Sequence, residues 1–161
     1  GNAEYDTIRA IKRAVEIPVI ANGDITTPEK AKYVLQHTNA DGLMIGRGAQ
    51  GNPWIFREIL HYLEHGERLP EPELTEQCTV MLEHVSNVHN FYGGISGVRI
   101  ARKHVGWYIA KYDQGRSFRE HFNGIDDAAE QLDALEMFYS RLHKKLVSSV
   151  AYLIKLSPIE A

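Results

Sequence analysis

Two short segments of the sequence combine glycine with polar side chains in a way that suits the binding of a phosphate. They are Asn22-Gly23-Asp24 and Gly46-Arg47-Gly48. Glycine lets backbone amides approach an anion closely, and the guanidinium of Arg47 can donate two parallel hydrogen bonds to a phosphate. Glycine is also common in tight turns between strands and helices, so both interpretations stay open at this point.

Each segment follows a short apolar run, residues 17–21 in the first case and residues 42–45 in the second. Apolar runs without alternation are typical of strands buried on both faces of a parallel sheet. A helix is predicted before each run, and the second one begins at Thr27-Pro28-Glu29. The apolar face of the first predicted helix consists of Ile8, Ile11 and Val15.

This order of helix, strand, helix and strand predicts an α/β fold with parallel strands. The loops after such strands are where these folds place their active sites. In (β/α)8 barrels the loops after the last two strands commonly form a phosphate site. Two parallel strands cannot bury both of their faces alone, and the sequence does not begin with Met, so we expect further strands to precede Gly1.

Residues 46–51 also match the G-x-G-x-x-G pattern of dinucleotide-binding folds. That fold requires a further parallel strand and an acidic residue about 20 residues later. Glu64 and Glu67 lie near that spacing, but the chain then enters a proline-containing segment, residues 69–73, followed by helical patterns. The sequence therefore argues against a dinucleotide-binding fold.

The second half of the sequence shows only helical periodicity, with three amphipathic helices predicted between residues 74 and 142. Because Pro70 and Pro72 block regular structure, residues 69–73 are predicted to link two domains. We assign residues 1–69 to the end of a barrel and residues 73–145 to an all-α helical bundle. Residues 146–161 are left without an assigned structure.

Charge is distributed unevenly in this half, although the net charge of the whole chain is only −3. Residues 99–119 contain six basic side chains and one acidic one, whereas residues 120–136 contain six acidic side chains and no Lys or Arg. On a helix, Arg99, Arg102, Lys103 and Gly106 would share one face, where Gly106 would admit a phosphate and Trp107 could stack on a base. The alternative is a solvated face that the acidic segment neutralises.

The composition excludes several classes of protein. No run of about 18 apolar residues is present, so no membrane span is predicted, and the first residues lack the pattern of a signal peptide. A single cysteine, Cys78, excludes an internal disulfide and a multi-cysteine metal site. We expect a cytoplasmic protein without a metal.

Four segments together resemble the bacterial tRNA-dihydrouridine synthases, specifically their B-type branch. They are I-P-V-I-A-N-G-D-I at residues 17–25, D-G-L-M-I-G-R-G-A-Q-G-N-P-W-I-F at residues 41–56, R-I-A-R-K-H-V-G-W-Y at residues 99–108 and F-N-G-I-D-D-A-A-E-Q-L at residues 122–132. The first two segments alone would fit many FMN-binding barrels. The helix with R-K-H-x-x-W-Y beyond the linker narrows the resemblance, which covers residues 1–142.

The resemblance implies the C-terminal part of an FMN-binding (β/α)8 TIM barrel followed by a tRNA-binding helical domain. The family's FMN-binding positions match Asn22, Gly23, Asp24, Gly46 and Arg47. The candidate tRNA-binding residues are Arg99, Arg102, Lys103 and Trp107. The catalytic cysteine of the family would precede Gly1, and Cys78 does not correspond to it, so we expect this chain by itself to be inactive.

The implied activity is that of an oxidoreductase that reduces a uridine of tRNA to 5,6-dihydrouridine, with FMN as cofactor and NADPH as reductant. Two other functions remain open on the sequence. An FMN-barrel oxidoreductase acting on a small molecule explains the two glycine-containing segments but not the basic helix. A non-enzymatic RNA-binding module explains the basic helix but not the glycine-containing segments.

Overall fold

The structure is a computed structural model that describes residues 3–156. The chain divides into two compact units, Gly1–Glu71 and Pro72–Ala161. The boundary between them falls within the proline-containing segment at residues 69–73. None of the helices in the described part is long and apolar enough to cross a membrane.

The first unit alternates helices with two short parallel strands. Its elements are α1 (Asp6–Ala14), β1 (Ile20–Asn22), α2 (Pro28–Thr38), β2 (Gly42–Met44), a 3-10 helix (Arg47–Ala49) and α3 (Ile55–His65). The strands pair in parallel with Ile20 opposite Gly42 and Asn22 opposite Met44. The predicted parallel pair is therefore present, and the unit is consistent with part of a barrel.

The ends of α2 follow from the sequence. The hydroxyl of Thr27 accepts a hydrogen bond from the backbone N–H of Lys30 at 3.2 Å, and Pro28 occupies the first turn. At the other end Asn39 adopts a left-handed conformation with φ of 55°, which Asn tolerates better than most residues. The buried residues of α2 then pack on the strands as part of the core, which consists of Tyr5, Ala21, Ile25, Ala31, Val34, Ile55 and Ile59.

One sequence-based expectation about this core, the burial of Ile11, is wrong for the described residues, and the burial of the strands is found on one face only. Ala21 is fully buried, but Ile20 and Met44 are 53% and 59% exposed, so only one face of the strand pair is covered. A two-stranded sheet can bury its second face only against further elements, and the described residues provide none there. In α1, Ile8 packs against the core, whereas Ile11 is 48% exposed.

The second unit contains only helices among its described residues. They are α4 (Leu74–Tyr92), α5 (Gly94–Ile109), α6 (Gly115–Asn123) and α7 (Ala128–Leu156). Helix α4 packs on α5 and α7, and α6 packs on α5 and α7. The periodicity predicts only three helices, because its apolar positions leave residues 113–124, which contain the short α6, unassigned. Residues 146–156, which have no predicted structure, continue α7, and residues 157–161 lie outside the described residues.

A buried polar network joins four segments of the second unit: α4, α5, α7 and the segment before α7. Gln131 in α7 is fully buried, and its Oε1 atom lies 2.9 Å from Nε2 of His89 in α4. Its Nε2 atom donates to the carbonyl oxygens of Val98 and Ile125, each at 3.3 Å. A buried side-chain amide needs such partners, because leaving it unpaired costs more than the hydrogen bonds contribute.

We expect the substitution Gln131→Leu to lower the free energy of unfolding by about 1–3 kcal/mol, because it leaves Nε2 of His89 buried without its partner and removes the hydrogen bonds to the carbonyl oxygens of Val98 and Ile125. Chemical denaturation measured by circular dichroism provides the test. Asp133→Leu, at an exposed position of the same helix, serves as the control and should change the stability by less than about 0.5 kcal/mol. Equal stabilities of the two variants would contradict a structural role of this network.

Candidate functional site

The carboxyl ends of β1 and β2 meet at one edge of the strand pair. Because Asn22 lies opposite Met44 in the parallel register, the loops that follow the two strands leave the sheet side by side. Between them lies a cleft of about 450 Å³. Its lining includes all five predicted cofactor-binding residues, namely Asn22, Gly23, Asp24, Gly46 and Arg47. The fold therefore brings together residues that are up to 25 positions apart in the sequence.

The side chain of Asn22 links the two strands at this edge. Its Nδ2 atom donates a hydrogen bond of 2.8 Å to the carbonyl oxygen of Met44. This contact extends the hydrogen bonding of the strand pair by one side chain. It keeps the starting points of the two loops together, so Asn22 contributes to the shape of the cleft.

The turn after β1 is held by the N-terminal segment of the chain. Gly23 has φ of 136° and Asp24 has φ of 46°, so two successive residues occupy positive-φ conformations. The hydroxyl of Tyr5 donates to the carbonyl oxygen of Gly23 at 2.6 Å, and the backbone N–H of Ala3 donates to Oδ2 of Asp24 at 2.9 Å. A Cβ atom on Gly23 would collide with the side chain of Ala3. Glycine is required at this position on both counts.

Arg47 and Asp24 form an ion pair across the cleft, with Nη2 and Oδ1 2.5 Å apart. The N–H of Ala3 contributes most to lowering the pKa of Asp24 below its ordinary value, and Arg47 adds to the effect. The side chain of Arg47 is 79% exposed, so solvent and ligands can reach the guanidinium. The pair thus holds a cation at the cleft while its remaining donors stay accessible.

The cleft is also lined by four residues that the sequence did not predict to bind a cofactor, namely Ile25, Thr26, Met44 and Gly48. Gly48 has a clear structural reason to be glycine. A Cβ atom there would lie 2.2 Å from the carbonyl oxygen of Ile25, which means that the two loops touch at this point. Both glycines of the G-R-G pattern lie in this loop, but only Gly48 is in close contact with the other loop, through the carbonyl oxygen of Ile25. The sequence pattern does not show this difference between Gly46 and Gly48.

We expect Gly48→Ala to destabilise the protein by about 1–3 kcal/mol, because the new methyl group meets backbone rather than a flexible side chain. Thermal unfolding of the protein that contains this chain measures the effect. Gly94→Ala is the matched control: nothing lies within 4 Å of a Cβ atom at that position, which is the first residue of α5, so its stability should stay close to that of the wild type. A Gly48→Ala variant as stable as the control would show that the loop contact has no structural importance.

The predicted RNA-binding residues lie on α5, but they do not form one uniform basic face. Arg99 and Lys103 are exposed and one helical turn apart. The ammonium group of Lys103 lies 5.0 Å from the ring centroid of Trp107, within the range of a cation–π contact. These three residues form a continuous surface, which we name the α5 surface.

Arg102 is half-buried and engaged within the second unit. It donates to the carbonyl oxygen of Ile125 at 3.1 Å and to Oδ1 of Asp126 at 2.6 Å. Its Nε atom is buried without a hydrogen-bond partner in the described structure. Arg102 therefore fastens α5 to the segment before α7. The acidic segment, residues 120–136, is therefore in contact with α5, because its Asp126 forms an ion pair with Arg102.

The expectation that Gly106 leaves room for a phosphate is wrong. Gly106 is buried, and a Cβ atom there would lie 3.1 Å from Nε of Arg119 in α6. Its small size admits the arginine of a neighbouring helix instead of an external phosphate. The spacing along the sequence places Gly106 on the same face of α5 as Arg102, but it does not show that Arg119 of α6 covers this position.

Two histidines support Trp107 from behind, and the sequence pattern did not single out their interaction. The ring of His104 lies 5.1 Å from that of Trp107 and 4.9 Å from that of His84 in α4. Nδ1 of His84 lies 3.0 Å from the hydroxyl of Tyr108. Burial lowers the pKa of both histidines, and for His104 the proximity of His84 and Lys103 lowers it further. The neutral imidazoles form an aromatic support for Trp107.

Cys78 lies half-buried in α4, and burial raises the pKa of its thiol. The thiol is therefore protonated near neutral pH and is not activated as a nucleophile. Among the described residues, no group of three or more His, Cys, Asp and Glu side chains is arranged to hold a metal ion.

The parallel strands, with their glycine-containing loops at the carboxyl ends, define an α/β protein of the kind that binds a ligand at the strand ends. The profile of the family described as "Dihydrouridine synthase (Dus)" matches residues 1–144. The chain belongs to this family.

Individual relatives agree with this assignment. The tRNA-dihydrouridine synthase B of Vibrio vulnificus is 59% identical over 142 residues, which cover 88% of this chain and 44% of the relative. The protein of the same name from Pseudomonas putida is 58% identical over 146 residues, covering 91% of this chain and 43% of the relative. The resemblance noted in the sequence is thus confirmed. The chain spans less than half the length of these curated relatives.

Proposed function

We propose that the protein containing this chain is an FMN-dependent tRNA-dihydrouridine synthase that uses NADPH to reduce a uridine of tRNA to 5,6-dihydrouridine. Its first unit would be the last part of a (β/α)8 barrel, and its second unit a tRNA-binding helical bundle. The observation that carries the proposal is the convergence of Asn22–Asp24 and Gly46-Arg47 on one cleft in a member of this family. Activity on tRNA would place the protein in the cytoplasm.

The cleft has the properties that a flavin phosphate requires. Arg47 supplies an accessible guanidinium, and the space beside Gly46 is open. A phosphate could therefore approach the backbone of the loop beside this guanidinium, a combination that suits a dianion. When bound, the flavin would supply the hydride for reduction of the uracil ring. The residues of this chain would bind its phosphate and keep it fixed at the edge of the strand pair.

The roles within the cleft differ. Arg47 would donate charge-assisted hydrogen bonds to the phosphate, and Gly23 and Gly46 would provide close approach to the backbone. Asn22 would keep the two loops together through its hydrogen bond to Met44. The carboxylate of Asp24 would not contact the phosphate favourably, because both are anionic. Its role would be to orient Arg47 and to hold Ala3.

We expect Arg47→Ala to weaken FMN binding about tenfold or more, because charge-assisted hydrogen bonds of about 1.5–3 kcal/mol are lost and Asp24 is left uncompensated beside the phosphate. The measurement is the dissociation constant of FMN, obtained from flavin fluorescence of the protein that contains this chain. Unchanged flavin retention would contradict the role of Arg47.

Asp24→Asn provides the control for this experiment. Asn accepts the positive φ of this position, and its Oδ1 can still accept a hydrogen bond from Arg47, while the substitution removes one negative charge and the acceptor for the N–H of Ala3. FMN affinity should therefore equal or exceed that of the wild type. A loss as large as that of Arg47→Ala would show that the ion pair as a whole, rather than the guanidinium, is required.

The α5 surface is the proposed tRNA contact of the second unit. Arg99 and Lys103 are exposed cations, Trp107 provides an aromatic surface, and no Asp or Glu occurs between residues 84 and 112. Contacts of this kind bind phosphates and position an RNA without selecting its sequence. Arg102 contributes indirectly, since its bonds to Ile125 and Asp126 fasten α5 in place.

We expect the double substitution Arg99→Ala and Lys103→Ala to weaken tRNA binding strongly while leaving flavin content and NADPH oxidation unchanged. The logarithm of the affinity should also depend less steeply on the logarithm of the salt concentration, by about 0.7 to 0.9 for each lost phosphate contact. Filter binding or fluorescence anisotropy with transcribed tRNA over a series of salt concentrations measures both quantities.

The matched control is Arg9→Ala with Arg13→Ala, which removes two cations at the same spacing from α1. This variant should bind tRNA with nearly wild-type affinity and salt dependence. If the two double variants behave alike, the α5 surface is a solvated helix face and the proposed RNA contact is wrong.

A further inference from the structure

A cleft between α6 and α7 in the second unit has no role in the function proposed above. Its volume is about 420 Å³, within the range of small-molecule sites. It shares no residue with the cleft at the strand ends or with the α5 surface. The lining side chains include Phe118, His121, Phe138, Arg141, Leu142 and Lys145.

The sequence spacing explains how two helices form this cleft. Each helix lines the cleft with one face, on which the lining residues are spaced three or four positions apart. On α6 and the residue before it they are Gln114, Ser117, Phe118 and His121. On α7 they are Phe138, Arg141, Leu142 and Lys145. The neighbouring Arg119 points elsewhere, since it packs over Gly106 of α5. Helix α6 therefore uses separate faces for α5 and for the cleft.

The floor of the cleft is aromatic. The rings of Phe118 and Phe138 are stacked with centroids 4.3 Å apart and an angle of 27° between their planes. Phe138 is buried, whereas Phe118 remains partly accessible from the cleft. A planar aromatic ligand could extend this stack by contacting Phe118, a contact that is tolerant of base identity.

The rim of the cleft is cationic. Arg141 and Lys145 lie one turn apart on α7, and His121 faces them from α6. No Asp or Glu is among the lining residues, and the three acidic side chains of α7, Glu130, Asp133 and Glu136, all precede the α7 residues that line the cleft. The guanidinium of Arg141 is therefore the group at the rim that can bind an anion.

We propose that the cleft between α6 and α7 binds a nucleotide, with the base against Phe118 and the phosphate at Arg141. A nucleotide combines the planar aromatic group and the anion that the floor and the rim require. It could be a nucleotide within an RNA strand or a free mononucleotide, since both carry this chemistry. In either case the cleft is a second nucleotide-binding site, separate from the proposed flavin phosphate site.

The test titrates the protein that contains this chain with two probes: uridine 5′-monophosphate by calorimetry and fluorescein-labelled hexauridylate by anisotropy. Arg141→Gln should weaken binding of the probe by about tenfold through loss of the charge-assisted contact. Arg116→Gln removes the same charge from an exposed position of α6 that does not line the cleft, and it should change the affinity less than about twofold. Phe118→Leu should also weaken binding through loss of stacking.

The two probes identify the source of the nucleotide. Binding of hexauridylate alone, weakened by Arg141→Gln, supports a site for RNA, whereas comparable binding of uridine 5′-monophosphate supports a site for a free nucleotide. Arg47→Ala should leave unchanged the part of both titrations that Arg141→Gln removes, which separates this site from the cleft at the strand ends. The proposal is overturned if neither probe binds saturably, or if Arg141→Gln and Arg116→Gln have equal effects.

Discussion

The register of the parallel strand pair determines where the first unit can bind a ligand. Asn22 and Met44 end their strands opposite each other, so the two following loops start from the same edge and run side by side. The side chain of Asn22 closes this edge, and the contact of Gly48 with the carbonyl oxygen of Ile25 joins the loops beyond it. A shift of one residue in the register would turn the strand side chains to the opposite face and separate these contacts. The position of Arg47 depends on all of them.

The second unit is stabilised by a different kind of contact. Its helices bury apolar faces, but their connections are fixed by polar side chains that reach across from one segment to another. Gln131 joins α7 to His89 and to two backbone carbonyls, and Arg102 joins α5 to the segment before α7. Because Arg102 is used in this way, the exposed cations on α5 keep a defined orientation relative to α7. The basic character of the helix therefore serves both its own packing and the proposed binding of RNA.

The sequence predicted those features that depend on local pattern. The parallel strands, the start of α2 at Thr27 and the meeting of the two glycine-containing loops follow from periodicity, capping and the geometry of parallel sheets. Contacts between distant segments could not be predicted in the same way. The burial of Gly106 beneath Arg119 depends on α6, a helix of nine residues that is too short to be recognised from its periodicity. The exposure of Ile20 and Met44 likewise depends on which elements surround the strands, which periodicity does not specify.

The ion pair between Asp24 and Arg47 also has a consequence for selectivity. Asp24 is attached to the same loop edge as the cleft, so its carboxylate competes for Arg47 at a high effective concentration. A simple inorganic anion that binds Arg47 has to displace the carboxylate of Asp24, so one ion pair replaces another and little binding free energy results. A ligand that adds contacts to the backbone amides and to the rest of its binding site can compensate for the exchange. In the proposed phosphate site, the carboxylate of Asp24 would therefore discriminate against small anions without closing the cleft.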